Sequence, residues 1–186
     1  MTLFYYMAAG RALPTGSFGK NKTTMTLNHY VTHVNPAAAD NGPMQMLLRK
    51  YPAGEQLMEV YETELDAVGL FVKGPMENPG TEHPFKLPLI YEISPEGGSY
   101  KLRPEWLKTQ PAAYAKSRKS LDVLLDYLRS HLEPGEHAEL YACWANGKDR
   151  FEDPPKHELD TVLDLNAFTL DEGFDWQEHQ YISVTR

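Results

Sequence analysis

His29 and His33 have the spacing that lets two side chains act together. At i and i+4 they share one face of a helix, and one face of a strand as well. Holding a zinc ion would take a third or fourth ligand in a closed or catalytic geometry. Asp40 is the nearest carboxylate in the chain, there is no His-Glu-x-x-His pattern, and no cysteine lies nearby. The expectation is therefore two histidines on a polar face and no metal.

Cys143 is the only cysteine, with His137, His157 and His179 as possible bases. It stands between Ala142 and Trp144 in a hydrophobic run, where a thiol packs as a small apolar group, so no catalytic nucleophile is expected there. Gly16-Ser17-Phe18-Gly19-Lys20 looks at first like a phosphate loop. Such a loop needs Gly five positions before the Gly-Lys pair and Ser or Thr after the lysine, and those positions hold Pro14 and Asn21. It reads as a glycine turn. Asp164 to Asp175 lacks the alternating ligands and Gly of a calcium loop.

Carboxylates are many: Glu59, Glu62, Glu64, Asp153, Asp160, Asp164, Asp171, Glu172 and Asp175. Glu59 stands out because a period-two pattern puts it on one strand face with Tyr61. Val60-Tyr61, Ile90-Tyr91 and Leu140-Tyr141 each place Tyr after an aliphatic residue in a strand-like run. Tyr combines an apolar body with a polar tip, so the binding candidates are Glu59, Tyr61, Tyr91 and Tyr141. The competing expectation for the eleven tyrosines and three tryptophans is simple packing along the sheet and under loops.

The elements that must position these groups are clearer. Tyr114, Leu121, Leu124, Leu125, Leu128 and Leu132 recur at steps of three, four and seven, which predicts an amphipathic helix over about 111–132. Pro111 suits its first turn, and Glu133-Pro134-Gly135 ends it. Leu3–Ala9, Leu89–Ile93, Glu139–Trp144, Thr161–Leu165 and Gln180–Thr185 read as strands, as does Met25–Val34. A short helix is expected from about Pro43 to Lys50, a hairpin turn at Pro95–Gly98 with Ser99–Leu102 pairing back, and a long loop over Gly74–Pro88. Short connections favour antiparallel pairing, so the fold class is α+β: a mostly antiparallel sheet with the long helix on one face. One domain over 1–186 is expected, with a split into 1–109 and 110–186 as the alternative.

A formal charge of −8 argues against non-specific nucleic-acid binding. No apolar run reaches the ~20 residues of a membrane span. One cysteine forms no internal disulfide, and a cytoplasmic location is the simplest expectation. No cofactor is implied and oligomeric state is left open. The leading functional expectation is a non-enzymatic, acidic, protein-binding protein of immunity or inhibitor type, with a protein partner. The alternative is a small-molecule-binding protein or hydrolase whose site lies under the Gly74–Pro88 loop, where Glu59, Tyr61 and His83 would converge.

Overall fold

Pro111 opens a 21-residue helix, and its missing amide is one that the first turn does not use. Among the described residues the α-helices are α1 (Leu27–His29), α2 (Gly42–Lys50), α3 (Trp106–Thr109) and α4 (Pro111–His131). The computed structural model describes residues 2–78, 84–145 and 155–186. On α4 the expected stripe of Tyr114, Leu121, Leu124, Leu125 and Leu128 is buried, and Leu132 just past its end is too. Each buried leucine contributes about 1.5–3 kcal/mol of transfer free energy. Arg129 and His131 stand in the last turn, where positive charge suits the helix dipole. The chain then leaves through an extended Leu132 and turns at Gly135, whose φ of +87° favours glycine.

The surface under α4 is a seven-stranded sheet. Its strands are β1 (Thr2–Ala9), β2 (Gly16–Phe18), β5 (Gly69–Glu77), β6 (Leu89–Glu96), β8 (His137–Ala145), β9 (Thr161–Asp164) and β11 (Tyr181–Thr185), in the spatial order β2-β5-β6-β1-β8-β11-β9. All neighbours are antiparallel except β11 and β9. Met7, Tyr91, Ile93, Leu140, Ile182 and Val184 join the α4 leucines in one core. Side chains one residue out of step (Tyr6, Ala8, Ile90, Tyr141 and Cys143) form a second, smaller core with Phe85. β1 is buried on both faces, as its unbroken apolar run implies.

Among the described residues β7 (Lys101–Leu102) and β10 (Phe174–Asp175) lie outside that sheet and pair with each other. The expected return of Ser99–Leu102 onto β6 is therefore not made. At Gly98 the backbone presses on α4 so closely that a Cβ would lie 2.5 Å from the Lys116 carbonyl oxygen. Tyr100 beyond it turns into the core instead of continuing a hairpin, meeting Tyr5 edge-on and Trp176 at a tilt.

Contacts group the chain into two compact units: 1–19 with 68–186, which holds this sheet and α4, and Lys20–Ala67. In the second unit β3 (Thr23–Thr26) pairs with β4 (Leu57–Val60). The extended run expected over Met25–Val34 ends at Thr26. There the threonine hydroxyl accepts from the His29 amide at 3.2 Å and caps α1, which runs on as a π-type turn over Tyr30–Val34. Val31, Thr32 and Val34 favour strands by shape, and the local cap overrides that preference. Asn35-Pro36 closes the turn, with the Asn35 amide donating to the Tyr30 carbonyl at 2.8 Å. The helix expected near Pro43–Lys50 is α2. Gly54, at φ +64°, lies against Asn28, where a Cβ would fall 2.6 Å from that residue's Cβ.

Candidate functional site

The small unit buries little. Among the described residues, Leu27 and Val60 are its only buried apolar side chains. No residue of α2 is buried, although the helix carries Met44, Met46, Leu47 and Leu48 at helical spacing. Met46 is 72% exposed and Leu57 61%, with Leu47 and Leu65 also in solvent. On β4 the period-two pattern holds: Val60 points inward while Leu57 and Glu59 point out. Glu59 pairs with Lys22 at 2.7 Å, and the contact is exposed at both ends. That bond and the carboxylate's charge push the Lys22 ammonium pKa up. An open cleft of about 600 Å³ runs along Lys50–Leu57. The stretch 51–66 carries Glu55, Glu59, Glu62, Glu64 and Asp66 and no Lys or Arg.

The second cluster lies on the sheet face away from α4, and it is polar within an apolar setting. Glu139 and Tyr141 are neighbours on that face of β8, both buried. One oxygen of Glu139 accepts the backbone amides of Lys86 at 2.8 Å and Leu87 at 3.1 Å. The carboxylate thereby fastens the end of the Gly74–Pro88 segment to the sheet. Asn78 works with it, donating to the carbonyls of Phe85 and Leu87. Tyr181 of β11 hydrogen-bonds to Glu139 as well, and burial, then that bond, hold its hydroxyl pKa well above the ordinary tyrosine value.

Beside this pair, the Tyr141 hydroxyl lies 3.2 Å from His179 Nδ1, and Glu178 Oε1 lies 2.9 Å from His179 Nε2. With Nε2–H donating to Glu178, Nδ1 is left as the acceptor for the phenol, a carboxylate–imidazole–phenol chain able to pass a proton. His179 holds φ at +62°, a conformation that L side chains rarely adopt. Its amide donates to the Ala142 carbonyl at 2.7 Å and its carbonyl accepts from the Lys156 amide at 3.0 Å, which fixes the residue from both sides. Strain of this kind persists only where the surroundings enforce it.

The expected site residues are divided between these two places. Glu59 and Tyr61 belong to the small unit and Tyr91 and Tyr141 to the sheet. Tyr91 and Tyr141 lie on opposite faces of that sheet. The Tyr91 hydroxyl accepts the Leu13 amide at 2.8 Å and secures the loop after β1. His83 lies outside the described residues. Most of the tyrosines pack in the cores, and some of their hydroxyls bind backbone groups: Tyr127 donates to the Pro14 carbonyl at 2.7 Å and Tyr114 to that of Glu172 at 3.2 Å. Cys143 is buried in mid-strand, as its neighbours implied. Reading the sequence missed Glu139 and Glu178, and weighed His179 only as a base for Cys143. Glu139 does carry a signal in hindsight, as a charged residue inside an apolar strand run.

Among the described residues no three His, Cys, Asp or Glu side chains are grouped so as to hold a metal, and no helix is long and apolar enough to cross a membrane. Compared with known protein families, curated proteins and solved structures, the chain matches none.

Proposed function

We propose that this is a non-enzymatic protein-binding protein, of inhibitor or immunity type, that docks its partner through the small unit. One observation carries the reading: Met46, Leu47, Leu57 and Leu65 stand in solvent on a unit that buries only two apolar side chains among the described residues. Folded surfaces expose single apolar groups freely, but a small unit whose helix buries nothing gains little from its own core. A partner covering those side chains would supply the missing burial, and a few such anchors carry most of the energy of an interface. The run of carboxylates over 51–66, of which Glu59 is paired with Lys22, suits a partner that is basic around an apolar anchor.

The test replaces the anchors. The wild-type chain, purified gently from its native cells, is expected to retain a stoichiometric protein partner. A Met46→Asp, Leu57→Asp variant that keeps the wild-type circular dichroism is expected to lose it. A wild-type chain that emerges alone, or a variant that keeps the same partner, contradicts the reading.

A second reading is favoured by the strained His179. The Tyr141–His179–Glu178 chain, beside Glu139 and under the end of the Gly74–Pro88 segment, has the parts of an acid–base site for a small molecule. It would show itself as turnover of nitrophenyl esters that Tyr141→Phe abolishes. Turnover indifferent to that change, or none at all, removes it.

A further inference from the structure

We propose that His29 and His33 form a two-imidazole chelate for a borderline divalent cation, copper(II) ahead of zinc(II). The spacing alone is ambiguous. In a strand, residues four apart are about 13 Å from each other, too far for one ion to bridge. Thr26 decides the matter by capping α1, so that both histidines fall on one helical turn and its π-type continuation. Their ring centroids come to 5.1 Å, with the planes tilted by 44°.

Both rings are exposed, and among the described residues neither makes a side-chain hydrogen bond or ion pair. In that they differ from His157, whose Nδ1 is 2.9 Å from Asp160, and from His179, held between Tyr141 and Glu178. The nitrogen lone pairs of the pair are thus available to an ion from solvent. The turn that carries them is braced by the Thr26 cap and by Thr32 Oγ1 donating to Asn28 Oδ1 at 3.3 Å. A braced turn loses less freedom on binding, which favours affinity.

Two neutral imidazoles bind copper(II) and zinc(II) through nitrogen at about 2.0–2.1 Å, and copper(II) leads the divalent series for such donors. No cluster of three protein ligands exists among the described residues, so water would fill the remaining positions. That makes an open, exchangeable site, unlike a closed structural one. Each imidazole must be deprotonated to bind, so protons compete with the ion for both sites.

The test uses the full, untagged chain titrated with copper(II) sulfate at neutral pH, read by calorimetry and by nitrogen hyperfine splitting in electron paramagnetic resonance. One equivalent bound through two imidazole nitrogens is expected, released on acidification because protons compete for the same nitrogens. His29→Gln and His33→Gln should each weaken binding by about tenfold or more, and His137→Gln and His157→Gln should leave it unchanged. Because both side chains of the pair are exposed, the metal-free variants should keep the wild-type circular dichroism. Absence of saturable binding overturns the proposal. So does a single-nitrogen signal, or affinity that follows His137 or His157 instead.

Discussion

At the scale of residues, tyrosine does most to set the pH limits of this protein. Burial raises the hydroxyl pKa values of Tyr100 and Tyr127, and burial followed by the bond to Glu139 raises that of Tyr181. In the unfolded chain these phenols ionise near ~10, while in the folded chain they stay protonated above it. A folded pKa above the unfolded one means that stability is intact below the unfolded value and is lost as pH rises past it. Denaturant midpoints should hold steady up to about pH 9 and fall beyond about pH 10. A midpoint unchanged at pH 11 would contradict this. On the acid side, Glu136 is held below the usual carboxylate range, first by the side-chain bond from Arg11 and then by the Glu133 amide. Its contribution is present above the ordinary value and is lost as pH falls through the lowered one.

Residue chemistry was legible in the sequence only where it was local. Cys143 could be placed from its neighbours. The His179 chain could not, because Tyr141 and His179 meet through the pairing of β8 with β11 across 38 residues of chain. Nothing in Gln177-Glu178-His179-Gln180 signals a left-handed histidine.

At the scale of elements, α4 and the strands β1, β8 and β11 could be read from periodicity, because each has one or two faces whose burial dictates its pattern. Leu121, Leu124 and Leu128 are buried as that pattern requires, and the final strand is paired along its length. The small unit was harder to read for the same physical reason: its side chains are mostly exposed, so burial leaves little trace in the sequence. There a single threonine cap settled what the residue preferences of Met25–Val34 left wrong. The contrast gives a paired prediction. Leu128→Ala should cost about 2–5 kcal/mol of stability, through a cavity between α4 and the sheet. Leu57→Ala should stay within about 0.5 kcal/mol, since that side chain is mostly in solvent. Equilibrium denaturation of the two variants checks both. Equal losses would mean that Leu57 is part of a core.

At the scale of the molecule, the two units differ in what holds them. The sheet and α4 share a core of more than twenty buried side chains, while the unit over Lys20–Ala67 relies on a two-strand ladder, caps and turns. Local opening follows buried apolar contact, so hydrogen exchange should divide along this line. Amides of α4, β1 and β8 should exchange only with global unfolding, and those of α2 and the π-type turn much sooner. Uniform protection across both units would contradict the division. The net charge of −8 opposes self-association through like-charge repulsion.

The central claim, that the small unit's exposed apolar side chains are a contact surface for another protein, is met most directly by photo-crosslinking in living cells. A photoreactive residue is placed at Leu57 in one strain and, as a control, at Val162, which is 76% exposed on β9. The account predicts a single, saturable protein adduct from position 57 and none of that size from position 162. No adduct at 57, or the same diffuse labelling from both positions, would contradict it.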